Sequence, residues 1–147
     1  MNNGTIGLMS DQVLQTLQEK FLVLRRGSYN LEKSGREKIA QMLNANPSEI
    51  ALTHNTTQGI NIVAQGLKLK RGDEVILCDH EHVGNALPWL NRAKRSGIKI
   101  KMLTLADTAQ ENLDRIDRLT SKRTRVIALP HITCTTGLVL PVKEIAQ

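Results

Sequence analysis

Apolar positions recur every three or four residues over 10–25. Val13, Leu14, Leu17, Phe21 and Leu22 share one face there, behind Ser10 and Asp11, which is a helical period with a capping residue at its start. Gly27-Ser28-Tyr29-Asn30 interrupts it. A second helix is predicted over 31–45, with Ile39 and Leu43 among charged residues, and Asn46-Pro47-Ser48 ends it. From residue 49 the pattern changes. Short apolar runs at 49–53 (EIALT), 74–78 (EVILC), 98–103 (IKIKML) and 124–132 (TRVIALPHI) alternate with helical stretches over 57–69, 85–96 and 113–119. Gly72-Asp73 marks a turn, Pro88 falls in the first turn of the 85–96 helix, Gly97 stops that helix, and Pro141 opens another.

Four strands alternating with helices, several of them continuously apolar, predict an α/β fold with a mostly parallel sheet. Residues 1–147 read as one incomplete domain. Residues 1–46 form a helical N-terminal lead-in, and 47–147 form the first part of the α/β body. The sequence reaches Gln147 barely two turns into an amphipathic helix, as expected of a domain that continues.

Composition narrows the functional classes. Hydrophobic residues make up 40% and charged residues 23%, a globular balance that excludes disorder. No apolar run approaches the roughly 20 residues that span a bilayer, and no basic-then-apolar leader opens the chain. The expectation is a cytoplasmic protein with no membrane partner. Cys78 and Cys134 form no CxxC pair, so reduced, buried thiols are expected. The His and Cys spacing matches no metal-ligand pattern. The net charge is +6, but the basic residues fall in scattered short clusters (Arg25-Arg26, Lys68 to Arg71, Arg92 to Arg95, Lys122-Arg123), each near a predicted helix end that favours cations. With only three aromatics there is no base-stacking platform, and nucleic acid is excluded as a partner. A phosphate-bearing ligand suits part of the charge.

In α/β sheets, ligands bind beyond the carboxyl ends of the strands, where three segments fall. His54 to Asn61 (HNTTQGIN) places Asn55 as cap and Gln58 at the third helical position, a capping-box variant. Its two hydroxyls and free N–H groups also make an anion site, with plain capping as the alternative reading. Asp79-His80-Glu81-His82 carries two imidazoles, but not the i, i+4 spacing of a helical zinc site. His80 reads as a surface residue, whereas His82, nearer the next helix, can turn its ring inward against a flat cofactor. Pro130 to Gly137 (PHITCTTG) is small and polar, with a Gly that permits close approach. No base adjoins Cys134, which reads as a packed, inert thiol. No GxGxxG or GxxxxGK[ST] motif is present.

Taken together and in order, THNTTQGINIVAQGL, GDEVILCDHEHVGNALPW and RVIALPHITCTTGLVLPVKEI resemble the class V aminotransferase family. That family includes cysteine desulfurases, selenocysteine lyases and isopenicillin-N-epimerase-like proteins. The opening Asn2-Asn3-Gly4-Thr5-Ile6-Gly7 resembles its first active-site loop, particularly in the epimerase-like branch. The resemblance implies a type I PLP-dependent transferase fold, with this chain supplying part of the large domain of an enzyme that works as a homodimer with pyridoxal 5′-phosphate (PLP). Thr56 and Thr57 match the positions that hold the cofactor phosphate. His82 matches the catalytic imidazole that stacks over the pyridine ring. Cys134 falls where desulfurases carry an Asn that bonds the ring hydroxyl, a departure that suits the epimerase-like branch.

The resemblance also implies parts with no match in this sequence: the Schiff-base lysine, an Asp facing the ring nitrogen in a D-x-x-Q-like motif, and an Arg for the substrate carboxylate. The expected function is therefore that of the N-terminal fragment of a PLP enzyme acting on an amino acid by desulfurase, lyase or epimerase-like chemistry. This fragment supplies cofactor phosphate and ring contacts and is inactive alone. Two alternatives stay open: a non-catalytic remnant or subunit that pairs with a separate C-terminal half, and a small phosphate-binding α/β module.

Overall fold

The computed structural model describes residues 7–27 and 35–147. The opening stretch read as an active-site loop, apart from Gly7, lies outside the described residues. So do Ser28-Tyr29-Asn30 and residues 31–34 of the second helix. The chain divides into two compact units, Met1–Leu52 and Thr53–Gln147.

The first unit is helical. Helix α1 spans Asp11–Arg25, and Ser10 caps it by accepting from the Val13 N–H. Helix α2 is Arg36–Met42, with Ala40 buried. A 3-10 turn at Pro47–Glu49 follows, closed by the Glu49 carboxylate accepting from the Asn46 N–H at 2.7 Å. This turn overturns the strand expected at 49–53. Pro47 starts the turn and Glu49 is consumed in closing it, while residues 50–53 enter no sheet.

The second unit is the α/β body. It runs α3 (Thr56–Gly66), β1 (Glu74–Cys78), α4 (Val83–Ser96), β2 (Lys99–Leu103), α5 (Ala109–Leu119), β3 (Thr124–Ile127) and α6 (Val142–Ile145). The three strands pair in parallel in the order β2-β1-β3. All five residues of β1 are buried, as its unbroken apolar run requires of a central strand covered on both faces. Alternate side chains feed two cores. Val75 and Leu77 pack with Ala64, Trp89 and Ile98 under α3 and α4. Ile76 and Cys78 pack with Leu103 and Ile116 under α5. The Arg92 guanidinium on α4 donates to the carbonyls of Ala64 and Leu67, which satisfies the end of α3 and fixes the two helices side by side.

Helix α3 ends at Gly66 rather than at residue 69, and α2 at Met42 rather than at residue 45; three further boundaries differ for a local reason. Helix α4 starts at Val83 because His82 caps it, so Pro88 sits in its second turn rather than its first. Strand β3 ends at Ile127, not Ile132. Ala128 gives one last N–H to the Ile76 carbonyl at 2.9 Å, and Pro130 has none to give. Helix α5 begins four residues early, at Ala109, because Thr108 caps it. The buried Asn112 then clamps both the N–H and the C=O of Ala106 with its amide, at 2.8 and 2.9 Å, and so fixes the loop beyond β2.

At the start of β1 the Glu74 carboxylate accepts from Ser121 (2.6 Å), Lys101 (2.9 Å) and Thr124 (3.3 Å), tying together the N-terminal ends of all three strands. The Ser121 hydroxyl and then Lys101 hold this carboxyl below its ordinary value. A carboxyl lowered in the folded state stabilises above the unfolded value and loses that stabilisation as pH falls through the folded one. Urea midpoints between pH 7 and pH 3 are expected to drop less steeply for Glu74→Gln than for the unaltered chain. Equal slopes would show that the network contributes nothing to acid sensitivity.

Candidate functional site

Parallel strands bring the ends of β1, β2 and β3 to one edge of the sheet, and the loops beyond them converge there. Each loop is held by its own polar residues. Before α3, Asn55 Oδ1 accepts from the Gln58 N–H at 2.8 Å, and Gln58 Oε1 accepts from the His54 N–H at 2.7 Å. This is the reciprocal cap read from the sequence, with its return bond shifted one residue upstream. The N–H groups of Thr56 and Thr57 have no acceptor among the described residues, and both threonines are exposed. They are the orphan donors of a helix N-terminus, where the dipole favours an anion.

The turn from β1 into α4 is built around His82 and Glu81. His82 Nδ1 accepts from the Gly84 N–H at 3.0 Å, so the neutral ring carries its proton on Nε2. Glu81 Oε1 accepts from the His82 N–H at 3.1 Å. Burial raises the Glu81 carboxyl, against the hydrogen bonds from Asn85 and His82. Asn85 donates to the Ala128 carbonyl at 3.2 Å and accepts from Trp89 Nε1, which ties α4 to the strand end opposite.

The N-termini of α3 and α4 meet at Gly84. A Cβ there would stand 2.5 Å from Thr57 Oγ1, nearer than real Cβ contacts come, and a tight 3.0 Å from His82 Nδ1, so glycine lets the Thr57 hydroxyl stand where it does. The structure therefore gathers Thr57, Gly84 and His82 at one point, with Thr56 on the same turn as Thr57. Gly84 was not singled out in the sequence. Its signal, a glycine just after a capping residue, gains meaning only once a distant helix is known to lie against it.

Cys134 lies on a separate loop. Residues 131–140 form a tight loop closed by the Ile132–Val139 bridge and by Thr133 N–H to the Leu138 carbonyl at 3.0 Å, with Gly137 at φ +75°. The buried Thr133 hydroxyl accepts from the Leu138 N–H, and Cys134 lies exposed, not packed as expected. His80, expected to be a free surface residue, is half-buried. Its Nδ1 hydrogen-bonds Thr135 Oγ1 at 2.7 Å, tethering the Cys134 loop to the β1–α4 turn across 55 positions. A cleft of about 250 Å³ opens beside this bond, between Leu105–Asp107 and Thr136–Leu138. Among the described residues no cluster of His, Cys, Asp or Glu could hold a metal, and no helix is long and apolar enough to cross a membrane.

The aminotransferase class-V profile matches residues 23–147. A probable cysteine desulfurase of Methanothermobacter thermautotrophicus is 36% identical over 129 residues, covering 83% of this chain and 32% of that protein. Two structures of C-DES superpose with a TM-score of 0.84 at 26% identity, covering 99% of this chain and 41% of theirs. One is a lysine-to-alanine mutant with glycine linked covalently to its PLP cofactor, and the other is this cystine C–S lyase with its product, cysteine persulfide. The apo cysteine desulfurase of Thermococcus onnurineus gives 0.83 at 26% identity over 98% of this chain and 39% of that one. The chain thus spans about a third of the length of the curated relative and about two fifths of these structures.

The two cysteines differ sharply in reactivity. Cys78 is buried, and burial followed by the charge of Glu81 pushes its thiol up to about 11, leaving well under roughly one molecule in a thousand as thiolate at pH 7.5. Native protein treated with a chromogenic disulfide reagent is expected to release one equivalent quickly, from Cys134, and the second only after unfolding. Two equally fast equivalents would contradict the burial of Cys78.

Proposed function

The chain belongs to the aminotransferase class-V family, and on that premise we propose that Thr56, Thr57 and His82 hold the phosphate and ring of PLP in an enzyme acting on an amino acid. The close approach of Thr57 to Gly84 carries this reading, because it places two unbonded N–H groups and two exposed hydroxyls beside an imidazole. The residues fit the group. A phosphate dianion matches orphan donors at a helix N-terminus in charge and in hydrogen-bonding sense. The glycine keeps the approach clear where a Cβ would fill it.

Bound there, PLP supplies an electron sink for breaking a bond of the amino acid. Thr56 and Thr57 anchor the phosphate end through backbone and hydroxyl donors. His82, its Nδ1 engaged by Gly84, presents a flat ring to the pyridine and keeps Nε2 for holding or passing a proton. Cys134 takes the place beside the ring hydroxyl that an amide fills in desulfurases, with a thiol as the weaker partner.

The desulfurase and C–S lyase relatives favour cleavage of a carbon–sulfur bond. In this reading the whole protein is a cytoplasmic homodimer. The lysine, the ring-nitrogen Asp and the carboxylate-binding Arg come from the part of the family's length that this chain does not span.

Binding tests the reading without turnover. Pyridoxine 5′-phosphate lacks the aldehyde that would react with surface lysines, and Trp89, the single tryptophan, lies within α4 as a fluorescent reporter. The phosphate ester is expected to bind at least tenfold more tightly than pyridoxine. Thr57→Val is expected to weaken it about 10- to 100-fold, the worth of charge-assisted hydrogen bonds of ~1.5–3 kcal/mol. Equal binding of ester and alcohol, or an unaltered Thr57→Val, would refute the phosphate assignment.

A further inference from the structure

The basic clusters that look scattered in the sequence are gathered by the fold. A parallel sheet returns every helix-to-strand turn to the same edge, the one opposite the candidate site. The Gly72 N–H donates to the Gly97 carbonyl at 3.0 Å, Lys99 N–H to Asp73 at 2.8 Å, and Glu74 N–H to Arg123 at 2.9 Å. These bonds lace the turns before β1, β2 and β3 into one surface. Lys70 and Arg71 stand on the first turn, Lys94 and Arg95 on the last turn of α4, and Lys122 and Arg123 on the third. All six are exposed, and none pairs with an acid among the described residues.

The acids nearest them are already engaged. Glu74 is held by Lys101 at 2.9 Å, and Asp73 lies 3.7 Å from Arg125 while accepting from the Lys70 N–H. Helix α5, on the other face of the sheet, reaches this edge with Arg118 among Asp114 and Asp117, so the unbalanced charge lies along the turns and under α4. The opposite edge carries Asp79, Glu81 and Asp107. Helix-dipole compensation accounts for Lys94 and Arg95 at a helix C-terminus, but not for Lys70, Arg71, Lys122 and Arg123, which lie on turns leading into strands. Like charges gathered on adjoining turns repel one another wherever they come within the screening length of about 8 Å at physiological salt.

We infer that this edge of the sheet is a docking surface for an acidic polypeptide segment of a partner protein. The segment's carboxylates would replace the missing counter-charges and set its orientation. A nucleic acid fits less well. The three turns contain no aromatic residue on which a base would stack. The five residues of β1 separate this surface from Thr57 and His82 by roughly 16 Å, so a docked partner leaves the cofactor pocket open. The inference does not depend on the cofactor reading.

Fluorescence anisotropy of a labelled twelve-residue glutamate peptide tests it on the full chain. The expected result is saturable binding that weakens roughly tenfold between 50 and 300 mM NaCl. The double variant Lys122→Glu/Arg123→Glu should reduce the affinity at least tenfold, while Lys143→Glu, on α6, should change it less than twofold. Lys70→Glu, which alters a different turn, serves if the double variant does not fold and should give a severalfold loss. Equal losses in Lys143→Glu and the edge variants, or no saturable binding, would overturn the assignment. Tighter binding of a twelve-nucleotide RNA that is abolished by the same edge variants would overturn the choice of partner.

Discussion

Strand β1 is enclosed on both faces by helices and on both edges by strands, and all five of its residues are buried. Such a strand tolerates no slip. A shift of one residue would exchange Val75 and Leu77, which face α3 and α4, with Ile76 and Cys78, which face α5. Its fixed register determines where residue 78 ends, and so where the Asp79–His82 turn starts and where α4 can begin. From there the order is one of consequence: Glu81 holds the His82 N–H, His82 caps α4, and the capped helix brings Gly84 against Thr57. The site is the C-terminal end of a buried strand expressed through one turn of backbone hydrogen bonds.

Charge is distributed along that strand as well as packing. At its start, Glu74 is satisfied by Ser121, Lys101 and Thr124, and exposed cations surround the strand ends. At its finish, orphan amides of a helix N-terminus and an imidazole face outward beside carboxylates. One short element thus separates an edge with an excess of exposed cations from one that combines anion-binding backbone with acidic side chains. The first suits a large acidic partner, and the second suits a small phosphate-bearing molecule.

Much of this was legible in the sequence where cause and effect are local. The run EVILC could only be a central strand. Ser10 and Asn55 announced their helices, Gly97 ended one, and the pairing of Asn55 with Gln58 was correct to within one backbone N–H. The failures come where a neighbouring proline or capping residue outweighs the apolar pattern, or where a distant group decides. EIALT has a strand's composition, but Pro47 and Glu49 close a turn ahead of it. The fourth run extends past the point where Pro130 runs out of donors. His82 was read as a ring able to turn inward; it lies exposed and is the cap that starts α4 two residues early. His80 was read as free surface, yet it bonds Thr135. The basic residues seemed dispersed because their common edge exists only after the chain has crossed the sheet three times. Gly84 is the clearest case: nothing near it in sequence says that a threonine 27 residues earlier will occupy the space of its missing side chain.

The account stands or falls on that contact. The direct measurement is the affinity of Gly84→Ala for pyridoxine 5′-phosphate, with circular dichroism and the thermal midpoint recorded alongside. The added methyl would stand 2.5 Å from Thr57 Oγ1 and 3.0 Å from His82 Nδ1, so the Thr57 hydroxyl must leave its place or the two helix starts must part. The prediction is a loss of at least tenfold in affinity with secondary structure retained, because alanine is the better helix former and the strain falls on the meeting point alone. Unchanged affinity in a folded Gly84→Ala protein would contradict the account, since the phosphate would then not depend on how closely α3 and α4 approach.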